Sequence, residues 1–137
     1  MGDTQTWAEL ALISEIAVIQ ESLATWRVLD ESASKSKDRK KGWRFCKSSA
    51  EVKLYLCEKH SLSEEVQRNK ELEWFDSSLK LAFYERNTDL AMEVKKRKQT
   101  FTWKEWLRYY GAKNGVCYYV CRVVFLTLNP FRKKIIN

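Results

Sequence analysis

The sequence predicts a mainly α-helical protein, a bundle of about five to six helices in a single domain over residues 1–137. Three observations predict it. Apolar residues recur at helical spacing. Four Ser/Thr-x-x-Glu signals mark helix starts. Only four Gly and one Pro occur in 137 residues, whereas sandwiches, barrels and nucleotide folds spend both on turns and phosphate loops. Apolar residues at 45%, with six each of Trp, Tyr and Phe, supply a core and exclude a fully disordered chain.

The elements follow in order. Thr6-x-x-Glu9 reads as a capping box opening a helix over about 6–30, with Leu12, Ile16, Ile19, Leu23 and Trp26 on one face. Residues 31–42 hold no large apolar side chain and read as a mobile basic loop. Trp43 and Phe45 suggest renewed burial, in a short extended segment near 43–46. Ser48-x-x-Glu51 predicts a helix to about Lys59 with Val52, Tyr55 and Leu56 inward. Ser61-x-x-Glu64 predicts a long helix to about Arg86 carrying Leu62, Val66, Leu72, Phe75, Leu79 and Phe83, with a kink or split at Asp76-Ser77-Ser78. Asn87-Thr88-Asp89 stops one helix and starts another over 89–98. Thr102-x-x-Glu105 opens a helix bearing Trp103, Trp106, Leu107 and Tyr110, stopped by Gly111. The run 116–128 suits either a strand or a buried helix, with helix favoured. Asn129-Pro130 ends it, and a short basic tail follows.

Charge is divided along the chain. The net of +7 arises from −5 over residues 1–34, +6 over 35–60, −3 over 61–90 and +9 over 91–137. Two basic blocks therefore alternate with two acidic ones. Brought together, they would form a positive face that attracts polyanions. The blocks are Lys35, Lys37, Arg39, Lys40, Lys41 and Arg44 around Trp43, and Lys95, Lys96, Arg97 and Lys98 ahead of Phe101 and Trp103. Lys and Arg neutralise phosphates, and a neighbouring Trp stacks on an unpaired base. The same runs fit a nuclear localisation signal.

Catalytic chemistry is poorly represented. His60 is the single histidine, and no nucleophile elbow, phosphate loop or dinucleotide fingerprint occurs. Carboxylate pairs such as Glu64/Glu65 and Glu71/Glu73 read as solvated helix faces. Cys57-x2-His60 and Cys117-x3-Cys121 are two short-spaced pairs that would make a zinc site if they met, with Cys46 as a substitute ligand. Small buried thiols are the better reading, and no cofactor is expected.

No secretory signal and no transmembrane run is read, so an intracellular protein, cytoplasmic or nuclear, is expected. Met1-Gly2-Asp3-Thr4-Gln5-Thr6 fits the loose myristoylation template, although Asp3 opposes it. A small basic helical chain opening with Met-Gly resembles retroviral matrix domains in outline, and MGDTQTW resembles the start of some lentiviral matrix proteins. The likeness covers seven residues of 137 and implies architecture alone.

The leading expectation is a non-enzymatic binding protein that holds nucleic acid, RNA first, on a basic face. Small basic helical proteins without a recognised motif are often virus-encoded accessory factors. The alternative is a protein–protein adaptor that docks a partner through its acidic first helix and aromatic surface, with a matrix-like role at a membrane surface as its variant. Exposed Trp faces would also suit a homodimer.

Overall fold

The computed structural model describes residues 2–15, 17, 20, 21 and 37–127. Among them the chain is mainly α: six helices, and no strand. They divide between two compact units, Met1–Trp74 and Phe75–Asn137. The predicted helix positions 16, 18, 19 and 22–30, loop positions 31–36 and tail positions 128–137 lie outside the described residues.

In the first unit, α1 spans Gly2–Ile13. The expected helix over 6–30 thus begins earlier and stops sooner. Thr6 lies inside it rather than at its cap. Ser14 lies just past its end, and both its amide (3.0 Å) and its hydroxyl (2.6 Å) donate to the Leu10 carbonyl. Such local side-chain bonds compete with helix propagation. Glu9, expected to close a capping box, instead accepts from the Lys59 ammonium at 2.5 Å.

Helix α2 spans Arg39–Lys59. Its N-cap is Asp38, whose carboxylate accepts from the Lys40 amide at 2.8 Å. That cap corrects two expectations. The loop drawn to residue 42 is helical from Arg39, and the extended piece at 43–46 is helix. A satisfied cap, followed by Lys and Arg with good helix propensity, outweighs like-charge repulsion in the first turn. Ser48 is consequently an interior residue, not a cap. Ala50, Leu56 and Cys57 form the buried face, while Tyr55 is exposed.

The chain leaves α2 through a Schellman-type turn. Leu62 donates to the Cys57 carbonyl and Ser61 to that of Glu58. Ser61 adopts φ 48°, the left-handed position that usually takes Gly. Ser61 therefore closes one helix rather than capping the next.

Helix α3, Glu64–Glu85, runs through the boundary and contributes to both units. It shows no split at Asp76-Ser77-Ser78. Both serines are buried, and Asp76 is engaged by Lys80 and, at 3.6 Å, by Arg108. The helix runs on unbroken although the buried Ser78 hydroxyl has no hydrogen-bond partner. The predicted stripe divides sharply. Val66 and Leu72 are exposed, as is Leu62 ahead of the helix, whereas Leu79 and Phe83 are almost fully buried.

The second unit continues with α4, Thr88–Arg97, then α5, Trp103–Lys113, and α6, Gly115–Thr127. Arg86 repeats the left-handed exit, with φ 57°, and Asn87 donates to the Ala82 carbonyl. The Asn87 side chain then caps α4 by accepting from the Leu90 amide at 3.0 Å. Ala82, Ala91 and Ala112 pack together beneath Leu90 and Tyr109. These small side chains let helix backbones approach closely.

Gly111 does not stop α5. It is buried inside the helix, and a Cβ there would lie 2.5 Å from the Phe83 ring. Its role is close approach, not termination. Asn114 makes the stop: its amide donates to the Tyr110 carbonyl, and its side chain accepts from the Val116 amide at 2.9 Å. The ambiguous run is the helix α6, as favoured. It packs on α5, where the Cys121 thiol donates to the Leu107 carbonyl at 3.2 Å.

Candidate nucleic-acid interface

The two basic blocks lie in different units. Lys35 is outside the described residues. Lys37 precedes α2, and Arg39, Lys40, Lys41 and Arg44 line its first two turns, all exposed. Trp43 among them is half-buried. These cations sit at the positive end of the helix dipole, an arrangement that favours an incoming anion over another cation.

The second block ends α4, and its four cations have different employment. Lys98 turns inward. Its ammonium lies 2.6 Å from the Glu105 carboxylate, which also accepts from the Thr102 amide at 2.8 Å and hydroxyl at 2.9 Å. Glu105 is only 9% exposed. Burial pushes its pKa up, but the bonds from Lys98 and Thr102 outweigh burial and hold the carboxyl below its ordinary value. Lys95 donates to the Gln99 carbonyl at 3.0 Å and covers two rings, with its nitrogen 4.7 Å from the Phe101 centroid and 4.5 Å from that of Trp106. Arg97 pairs with Glu93 at 2.9 Å on the surface. Lys96 is exposed.

Helix α5 adds what the charge runs did not announce. Trp103, Trp106 and Tyr110 recur at helical spacing, with Tyr109 beside them. Trp106 stacks on Tyr110, with 5.4 Å between centroids and 20° between planes, and meets Phe101 and Tyr109 edge-on. Trp103 and Tyr110 are 55% and 52% exposed. Lys104 stands over Trp103 and Lys113 over Tyr109, each at 5.4 Å. The result is an aromatic strip edged by Lys95, Lys104 and Lys113, with Lys96 and Arg97 on the adjoining end of α4. Glu105, on the first turn of α5, is buried and neutralised by Lys98, while Glu93 on α4 stays at the surface paired with Arg97. The signal was present as Trp-x2-Trp-x2-Tyr-Tyr with Lys104 and Lys113 on the same helix; only the tertiary contact with α4 adds Lys95 to its edge.

The zinc candidates separate. Cys57, buried, and His60, half-buried, belong to the first unit; Cys117, half-buried, and Cys121, buried, belong to the second. Among the described residues no three His, Cys, Asp or Glu side chains are grouped to hold a metal. Burial, then the neighbouring Cys117, pushes the Cys121 thiol pKa up, away from the thiolate a metal needs. No described helix is long and apolar enough to cross a membrane. Comparison with known proteins gives no relative: no family model, curated protein or solved structure matches the chain.

Proposed function

We propose that this protein is a binding module without catalytic chemistry that holds single-stranded nucleic acid, RNA first, on the α4–α5 surface of its second unit. One observation carries the reading: an exposed aromatic strip edged by lysines, with the Glu105 carboxylate on the same helix buried against Lys98. Single strands are held by this combination, with cations tracking phosphates and rings stacking on bases. Lys96, Lys104 and Arg97, which would exchange its weak surface pair with Glu93 for phosphate, are the phosphate contacts in this reading, and Trp103 and Tyr110 the stacking rings. Lys98 is excluded from direct contact because Glu105 occupies it. A cytoplasmic or nuclear site of action, and a role as a virus-encoded accessory factor, would both accommodate such a module.

The test is fluorescence anisotropy with labelled single- and double-stranded RNA and DNA at two salt concentrations. Single strands should bind more tightly, and log Kd should vary with log salt at about 0.7 per phosphate neutralised. Lys96→Glu with Arg97→Glu should weaken binding and flatten that slope. Trp103→Ala should weaken binding about tenfold at unchanged slope, through lost stacking. Salt-sensitive binding that survives both variants would sink the assignment.

A second reading has its own support. On α1, Trp7, Leu10 and Ile13, three residues apart, are exposed along one side, and Leu12 is exposed on another. Such a patch suits a protein adaptor whose partner docks there through apolar contact. That binding would hardly respond to salt, and Trp7→Ala would weaken it while leaving nucleic-acid affinity unchanged.

A further inference from the structure

Helix α6 is apolar on both of its faces. Cys121 is buried and Cys117, Tyr118, Val124 and Phe125 are half-buried, which accounts for the face toward the unit's core. The opposite face is exposed: Val116 at 73%, Tyr119 at 62%, Val120 at 58% and Val123 at 59%. Their spacing of 3, 1 and 3 places them on one stripe along the helix. Arg122, exposed, flanks that stripe. No acidic residue follows Glu105 in the sequence, whereas Arg108, Lys113, Arg122, Arg132, Lys133 and Lys134 do.

Two arguments select the occupant of this face. The first is area. Four partly exposed side chains offer a patch on the order of 400 Å², about half of what each partner of a stable dimer buries, so a second copy is underprovided. The second is charge. An apolar stripe bordered by exposed Arg122, and by Arg86 standing 5.8 Å from the Tyr119 ring centroid, complements a surface that is apolar within and anionic at its rim. An anionic phospholipid leaflet has that composition. A helix of 13 residues is about 20 Å long, too short to span a hydrocarbon core of ~30 Å but suited to lying along it. Tyr119 is amphipathic, as ring-and-hydroxyl side chains at headgroup depth are, and Arg122 can extend its guanidinium to phosphate while its stem stays on the apolar side.

We propose that α6 is an interfacial helix that docks the protein on an anionic lipid surface, with Val116, Tyr119, Val120 and Val123 entering the acyl boundary and Arg122 at the headgroups. This surface is distinct from the aromatic strip of α5, so the two sites are separable by mutation.

The experiment is vesicle flotation of the full chain, with phosphatidylcholine alone and with one-third phosphatidylserine. The protein should float with the anionic vesicles and stay behind with the neutral ones. Val120→Ser with Val123→Ser removes apolar area without altering charge and should lower the lipid partition coefficient about tenfold. Because both positions are exposed, far-UV circular dichroism should be unchanged. Val120→Leu with Val123→Leu should raise the coefficient severalfold. RNA affinity, read in parallel, should move with neither pair. Failure to float with anionic vesicles overturns the proposal. So does flotation that ignores both pairs, or a serine pair that converts a dimer to a monomer in sedimentation, which would assign the face to a second copy.

Discussion

The described parts of the two units are tied together by different contacts. The second buries Leu79, Leu81, Ala82, Phe83, Ala91, Val94, Ala112 and Cys121 at 5% exposure or less. Its helices interlock around Phe83, which meets Tyr84, Tyr118 and Phe125 with centroids 4.8 to 6.0 Å away. In the first unit the buried apolar side chains among the described residues are Ala50, Leu56, Cys57 and Trp74. Its described ties between helices include two surface ion pairs, Glu9–Lys59 at 2.5 Å and Lys53–Glu73 at 2.8 Å. Apolar packing is roughly proportional to area and insensitive to salt, whereas exposed ion pairs are weak and screened. The difference teaches where each kind of function can sit. The aromatic strip rests on the packed unit, and the exposed apolar residues of α1 lie on a helix tied to α2 by the surface Glu9–Lys59 pair.

The sharpest way to break this comparison is Phe83→Ala. It would empty the centre of the second unit and should cost about 4 kcal/mol, as large-to-small aromatic truncations in packed cores do. Thermal or denaturant unfolding read by near-ultraviolet circular dichroism checks this. A loss near zero would mean that the ring cluster is not the core of the unit.

Glu105→Gln comes next. The carboxylate gathers Lys98, the Thr102 amide and the Thr102 hydroxyl at one buried point between α4 and the start of α5. Its removal leaves Lys98 half-buried without its counter-charge, at a cost of about 2 kcal/mol. The sign of the pH dependence follows from the shift. The folded pKa of Glu105 is depressed, so its contribution is full above the unfolded carboxylate pKa and is lost as pH falls through the lower folded value. Wild type should lose stability between mildly acidic pH and that value. The Gln variant should lose less over the same window, and parallel curves would show that the carboxylate does not carry the linkage.

Much of the fold was legible because several elements carry local signals. Asn87-Thr88-Asp89, the Thr102/Glu105 pair and the basic end of α4 all stand where short-range chemistry puts them. The failures share a cause. Thr6, Ser48 and Ser61 each match a Ser/Thr-x-x-Glu pattern, yet Thr6 and Ser48 lie inside helices and Ser61 closes one. The pattern constrains four residues, whereas the cap is decided by competitors such as the Asp38 side chain, which captures the start of α2. Gly111 misled for a related reason. A glycine can mark a helix end or a close approach, and only the Phe83 ring distinguishes them. Within the site, the basic runs were readable as charge, but not as employment: that Lys98 is consumed by Glu105 while Lys95 covers Phe101 and Trp106 depends on the packing of α5 against α4.

Gly111→Ala probes the same interlock more gently. The added Cβ would meet Phe83 Cε2 at 2.5 Å and Cδ2 at 2.7 Å, and that ring is itself held by Tyr118 and Phe125. Overpacking should exceed the roughly 1 kcal/mol that Ala gains over Gly in a helix, for a net loss of about 1 kcal/mol. A stabilised variant would mean that the ring shifts freely and that the second unit is more loosely packed than its burial implies.

The smallest effect on global stability belongs to the first unit and completes the contrast. The Lys59 ammonium holds the Glu9 carboxyl below its ordinary pKa, and Glu9 in turn raises that of Lys59. Both groups are solvent-exposed, so Lys59→Gln should leave the global unfolding midpoint nearly unchanged. Its consequence should be local. The bond reaches from α2 to α1, across 50 positions of sequence, and amide exchange in α1 should quicken when it is removed. High salt should produce the same acceleration in the wild type and none further in the variant. The contribution is present above the unfolded pKa of Glu9 and lost as pH falls through its depressed folded value. On the basic side it is full below the unfolded pKa of Lys59 and lost as pH rises through the raised one. Exchange in α5 and α6 should ignore salt and Lys59→Gln alike, because their protection comes from buried apolar area. Should α5 and α6 quicken together with α1, the two units would share one unfolding reaction and the contrast between them would fail.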